Sequence, residues 1–287
     1  MKLKRFLPHG CVLAAGILWG CIGLFTRSLT AAGCSVGSIV LLRNCGALAL
    51  MSVFFLLTDR GVFRIAPRHL PCFLGTGVVS VLLFTLCYFA CQRLCSLAVA
   101  AVLLYTAPAF VVLFSALLWR ERITKRKLLA LGLAFLGCVC VAGLGGGLSV
   151  TLTGVLLGLG SGLFYGLYSI FGRYALRHYS PKTVTYYTFV FAGAGSLAAL
   201  RPAELSAAFA APGTLWLALG LATLSTVAPY LLYTKGLAAL DSGRASILAS
   251  IEPVTAAVVG ILAFGEPMNA AVLLGLACIV ACVAVLK

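Results

Sequence analysis

Ten separate stretches of this chain read as apolar for long enough to cross a lipid bilayer. They lie near 9–26, 35–57, 70–92, 96–118, 127–144, 152–172, 183–200, 213–235, 244–264 and 269–286. Each is hydrophobic on all faces rather than along one stripe, the pattern expected where lipid replaces water. In lipid every backbone N–H and C=O needs a partner within the protein, so spans of this kind are helices. Ten spans of about 20 residues consume about two-thirds of the chain and leave connections too short for a separate soluble module. The composition agrees, with a mean hydropathy of +1.13 and only 9% charged residues.

A net charge of +15 could point to nucleic acid, but the cations sit in alternate connections. With the N-terminus in the cytoplasm, 17 Lys and Arg fall on the cytoplasmic side, including Arg60, Arg64, Arg68, Arg120 and Arg122. Arg27, Arg93 and Arg201 fall opposite, and Arg43 lies within a span. That asymmetry is an orientation signal. It predicts both termini in the cytoplasm, a cell (inner) membrane location, membrane lipids as partners and no nucleic acid. Lys2, Lys4 and Arg5 ahead of the first apolar run resemble a signal peptide. The run is read as a retained helix, because its residues recur later in the chain.

The chain has 12 Cys, nearly all within apolar runs, and three His far apart in sequence. CxxC spacing is absent, and the cysteines read as small packing residues. Neither a metal nor a cofactor is expected.

The recurrence appears at a spacing near 145. Ala100–Pro108 aligns with Ala245–Pro253, Glu121 with Glu266, Thr124 with Asn269 and Tyr88 with Tyr233. At 146, Gly16, Trp19, Gly20, Phe25 and Arg27 fall on Gly162, Tyr165, Gly166, Phe171 and Arg173. The chain therefore divides into 1–144 and 145–287. Five helices are an odd number, so the two halves enter the membrane from opposite sides, and inverted halves of this kind enclose a site near the midplane. The expected fold class is an all-α membrane protein: ten transmembrane helices in two inverted five-helix repeats around a central cavity.

Glu252, about eight residues into the ninth segment beside Pro253, is the residue with most to explain. An ionised carboxylate at that depth costs several kcal/mol unless paired, hydrated or protonated. It reads either as a carboxyl bonded locally at a kink or as a site for a substrate ammonium or a proton. Arg43 in the second segment can snorkel to the interface, or meet a substrate carboxylate or Glu252. Pro108, Pro229 and Pro253 each free a carbonyl one turn back. Thr226, Tyr230 and Tyr233 recur at helical spacing on the eighth segment, together with Thr223. Tyr165 and Tyr168 mark the sixth, and Trp19, Tyr88 and Tyr105 the first, third and fourth. Polar mid-membrane faces turn away from lipid, and aromatic faces suit cationic or aromatic solutes. Gly154, Gly158, Gly162 and Gly166 form a ridge for close helix packing.

In this order and spacing, the fourth- and ninth-segment signatures (Pro108 to Glu121, and Glu252-Pro253 to Glu266), Trp19-Gly20, Arg43 and the 233–238 run resemble the ten-helix EamA branch of the drug/metabolite transporter superfamily. The resemblance covers nearly the whole chain. It departs at Trp119-Arg120-Glu121, which lacks the glycine of Phe264-Gly265-Glu266. It implies a basket-like inverted-repeat bundle that moves small solutes by alternating access. The expected function is secondary transport, as an exporter of small metabolites such as amino acids or amines, with proton coupling suggested by Glu252. The expected binding residues are Trp19, Arg43, Tyr88, Tyr105, Tyr165, Tyr168, Thr226, Tyr230, Tyr233 and Glu252, around a small-molecule substrate in a central cavity of a monomer or homodimer. Alternatives are a carrier of nucleotide sugars or organic anions, or a membrane-embedded protein that does not transport. An enzyme would need a nucleophile, base or metal cluster, and none is legible.

Overall fold

A computed structural model describes residues 2–142, 150–199 and 213–286, and every regular element among them is a helix. Seven helical stretches are long and apolar enough to cross a membrane: Leu7–Ala31, Val36–Thr58, Pro67–Leu94, Leu97–Trp119, Leu152–Ala175, Thr214–Leu237 and Ser242–Phe264. Ala270–Val285 is a shorter apolar helix. Lys125–Ala142 opens on three cations and Pro181–Ala199 packs against Val36–Thr58. The expected boundary at 144/145 lies outside the described residues, as do Arg201 and Lys287.

Several expected spans are interrupted. The first runs from Lys2 to Gly20, turns at Cys21 and resumes over Ile22–Ala31. The fourth breaks between Leu97–Leu104 and Ala107–Trp119, and the ninth between Ser242–Ala249 and Glu252–Phe264. Both of the latter breaks precede a proline, Pro108 or Pro253, whose missing N–H and ring displace the carbonyl one turn back. The chain tightens in the same way at each: the Thr106 N–H donates to the Leu103 carbonyl (3.2 Å) and the Ile251 N–H to that of Leu248 (3.3 Å). Wide π turns occupy Gly75–Leu83 and Thr223–Val227. The Ser80 and Thr226 hydroxyls donate to carbonyls five residues back, at 2.8 Å each.

Other details recur at the same spacing. Ser96 and Asp241 cap the half-helices that begin Leu97–Trp119 and Ser242–Phe264. Thr124 and Asn269, expected to start the following helices, accept from the Lys127 and Val272 N–H groups (3.2 and 2.9 Å). Trp119 and Phe264 each precede a left-handed residue, Arg120 (φ 55°) and Gly265 (φ 66°). Arg120 keeps the backbone that glycine adopts freely, at a cost of about 1–2 kcal/mol for an L-residue.

Close backbone approach explains the central glycines. A Cβ on Gly162 would stand 2.8 Å from the Leu103 carbonyl oxygen and 3.0 Å from that of Leu104. One on Gly16 would stand 2.9 Å from the Ala249 oxygen. Each of these helices therefore rests on the broken part of its neighbour. Trp19, Tyr168, Tyr230 and Tyr233 lie in the buried core where they meet.

Candidate functional site

The broken and π-turned helices surround a cavity of about 940 Å³. Its mouth is formed by Arg27, Thr30, Ala31, Val36 and Leu97, which are exposed. Trp119, at the far end of the Leu97–Trp119 helix, is not part of it. The cavity therefore opens at one end of the bundle and reaches inward to Trp19, Arg43, Tyr88, Tyr105 and Glu252. A small aromatic chamber continues from Trp19, Tyr105 and Glu252 to Tyr165, Tyr168, Tyr230 and Tyr233.

Trp19 stands at the junction. Its ring lies 5.2 Å from Tyr230, 5.3 Å from Tyr233 and 6.3 Å from Tyr165. The Tyr168 hydroxyl meets Thr234 at 2.7 Å and the Tyr233 hydroxyl meets Ser169 at 2.7 Å. Their polar ends are thus engaged by protein, and these two rings serve as walls. The other two hydroxyls engage charges: Tyr165 donates to Glu252 Oε2 (3.1 Å) and Arg43 Nη2 donates to Tyr230 (3.3 Å).

Arg43, Glu252 and Arg27 are the charged residues among the described lining of the large cavity. Among the described residues no ion pair joins Arg43 to Glu252. Each is held by a different tyrosine, and Arg43 Nε is buried without a hydrogen-bond partner. Arg43 lines the cavity and bonds Tyr230, so of its sequence readings neither snorkelling to the interface nor pairing with Glu252 is adopted in this geometry.

Nine of the ten expected binding residues line one or both spaces. Thr226 lines neither. It is fully buried, its hydroxyl is spent on the Leu221 carbonyl, and the π turn carries it off the face that presents Tyr230. Thr223 is exposed and bonded to the Leu219 carbonyl (2.6 Å). Sequence reasoning missed Ser246, Ser250 and Gln92, which line the spaces. Ser246 and Ser250 stand one turn apart just before Glu252, and that spacing was the available signal. Among the described residues no three His, Cys, Asp or Glu gather to hold a metal. The fold brings two of the scattered histidines together: His69 stacks on His178 at 4.5 Å, away from both spaces.

Two charged clusters flank the site. At the open end Arg27 pairs with Glu266 (2.6 Å) and lies 4.7 Å over the Phe264 ring. At the closed end Arg173 pairs with Glu121 and lies 4.7 Å over Trp119.

The sequence of the EamA-like transporter family matches residues 8–143 and again 152–286. The chain belongs to the EamA-like transporter family. It is 33% identical over 281 residues to an uncharacterised transporter of Archaeoglobus fulgidus, spanning 98% of this chain and 96% of that one. It is 34% identical over 194 residues to the threonine/homoserine exporter RhtA of Escherichia coli K12, spanning 64% of this chain and 60% of that one. A crystal structure 20% identical in sequence superposes with a TM-score of 0.81 over 97% of this chain, which shows the fold. Family membership and the apolar helices make this EamA-family chain a multi-pass membrane protein and a transporter.

Proposed function

We propose that this EamA-family protein is a secondary transporter that exports small amine-bearing metabolites, amino acids foremost, by alternating access. The observation that carries the reading is the pair of opposite charges, Arg43 and Glu252, which face one aromatic-lined cavity without pairing to each other. Opposite charges in a low-dielectric space attract strongly. Here each is bonded to its own tyrosine instead, and a dipolar solute would supply both charges with the partner they lack. The carboxylate of an amino acid would meet Arg43, whose planar fork suits that group. Its ammonium would meet Glu252 and the faces of Trp19 and Tyr105. The similarity to a threonine/homoserine exporter supports the same class of solute.

The proposed architecture is ten spans in two inverted repeats, 1–144 and 145–287. The breaks, caps and left-handed residues recurring 145 residues apart, and the π turns at overlapping positions of the two halves, support it. The cation asymmetry supports both termini, and the Glu121 end, in the cytoplasm of a cell that keeps the protein in its inner membrane. Glu252 is the proposed proton site.

Purified protein in liposomes tests the reading. Saturable flux of amino acids is expected, with a measurable change when a pH gradient is imposed if Glu252 exchanges its proton. Absence of flux for every amino acid and amine, with flux of organic anions instead, would favour the organic-anion alternative.

A further inference from the structure

The two charged clusters are built alike but finished differently. The Arg–Glu pair with its cation–π contact occurs at both ends, from residues 145 or 146 positions apart. Among the described residues, only at the closed end does the cluster tie further segments together. Glu121 accepts from the Ser242 N–H (3.3 Å), Arg173 donates to the Ser242 hydroxyl (3.3 Å), and Lys127 bridges Glu121 (3.3 Å) to Asp241 (2.7 Å). The side chains of Lys127 and Glu121 are each only 10% exposed. In this way Ser242–Ala249 is drawn onto Ala107–Trp119.

At the open end the counterparts stand apart. Leu97, Ala101 and Leu104 face Pro253 and Ala256 across the cavity. Arg27 and Glu266 are 54% and 44% exposed. The counterpart of Ser242 is Leu97, whose N–H Glu266 would reach if that end closed as the other has. The counterpart of Lys127 is Val272 and that of Asp241 is Ser96. Closure at the open end would reproduce the backbone contact without the ion pair.

We infer that Lys127 and Asp241 form a one-sided clasp that makes the closed-at-Glu121 form the resting form of the empty carrier. Glu121 and Glu266 take turns in receiving the opposing helix start, and the extra ion pair weights the first of the two arrangements. A conformational equilibrium shifts only by what differs between its states, and Lys127–Asp241 is such a difference. The inference rests on the alternating-access reading but not on any substrate.

The test gives each end the residues of the other and reads hydrogen–deuterium exchange by mass spectrometry, on the full chain in lipid nanodiscs without added solute. The double variant Lys127→Val, Asp241→Ser retains a capping hydroxyl at 241. It is expected to speed exchange at 119–127 and 239–246 and to slow it at 92–101, each by about fivefold, the low end of coupling between sites. Faster exchange at the Glu121 end with no slowing at 92–101 would mean a local structural bridge and would overturn the inference. The reciprocal variant Ser96→Asp, Val272→Lys leaves the Glu121 end chemically intact, so it guards against misfolding of the first. It too must slow exchange at 92–101, and unchanged exchange there refutes the clasp. Failure of every transport assay would count against the proposed function while leaving these exchange outcomes readable.

Discussion

In the proposed reading Glu252 and Arg43 carry the chemistry, because each brings an ionisable group to the inner part of a cavity whose other charged residue, Arg27, stands at the mouth paired with Glu266. A charge-assisted hydrogen bond contributes about 1.5–3 kcal/mol, so Glu252→Gln is expected to raise the KM for an amino acid about 10- to 100-fold in liposome uptake. An unchanged KM would remove the carboxylate from the site. Arg43→Gln should cost the carboxylate contact instead, so uptake of an amino acid should fall toward that of the amine lacking its carboxyl. Equal preference already in the wild type would mean that Arg43 does not read the substrate. Glu252 was legible in the sequence because a charge in an apolar run has few other reasons to be there. Arg43 was legible only as a residue with several uses, since a long side chain can lead inward or outward from the same backbone. Ser246 and Ser250 offered only their spacing as a signal, because a small hydroxyl in a helix can satisfy itself on its own backbone.

Helix interruptions shape the cavity, and the glycines let other helices rest against them. Gly162→Ala would drive a methyl against the Leu103 and Leu104 carbonyls, and overpacking of this kind costs about 1–3 kcal/mol. A Cβ at Gly132 would meet nothing within 4 Å. Thermal unfolding in detergent should therefore show a lowered midpoint for Gly162→Ala and no loss for Gly132→Ala. Equal midpoints would mean that the close approach contributes nothing. The breaks before Pro108 and Pro253 could be read from the chain, because proline has a fixed local effect. The turn at Cys21 and the π turns at Gly75–Leu83 and Thr223–Val227 could not be. They depend on packing against other helices and on hydroxyls that reach an extra residue back. The Thr226 misplacement follows from that: helical spacing held through Tyr230 and Tyr233 but not across the wide turn.

Across the whole molecule the 145-residue recurrence was visible in the chain as scattered residues, whereas its meaning lies in contacts between distant segments. No sequence pattern announces that Glu121 meets Arg173 or that Lys127 meets Asp241. Burial pushes the Asp241 carboxyl up, but the Lys127 bond, the Arg244 N–H and the charges of Lys127 and Arg244 outweigh it and hold the group below its ordinary value. A carboxyl lowered by folding stabilises the folded form above its unfolded pKa, and that contribution is lost as pH falls through the lowered value. The clasp should thus persist from pH 7 to 5 and release only below the range in which carboxylates ordinarily protonate. Exchange at 239–246 that rises already at pH 5, after correction for the intrinsic rate, would contradict this. The most direct test of a carrier with an amino-acid site is counterflow. Liposomes holding purified protein and excess unlabelled amino acid should transiently concentrate the labelled form, and Glu252→Gln should abolish the overshoot at the same external concentration. Flux that rises in proportion to concentration without an overshoot, or an overshoot untouched by Glu252→Gln, would show that the cavity is not the binding site of an alternating carrier.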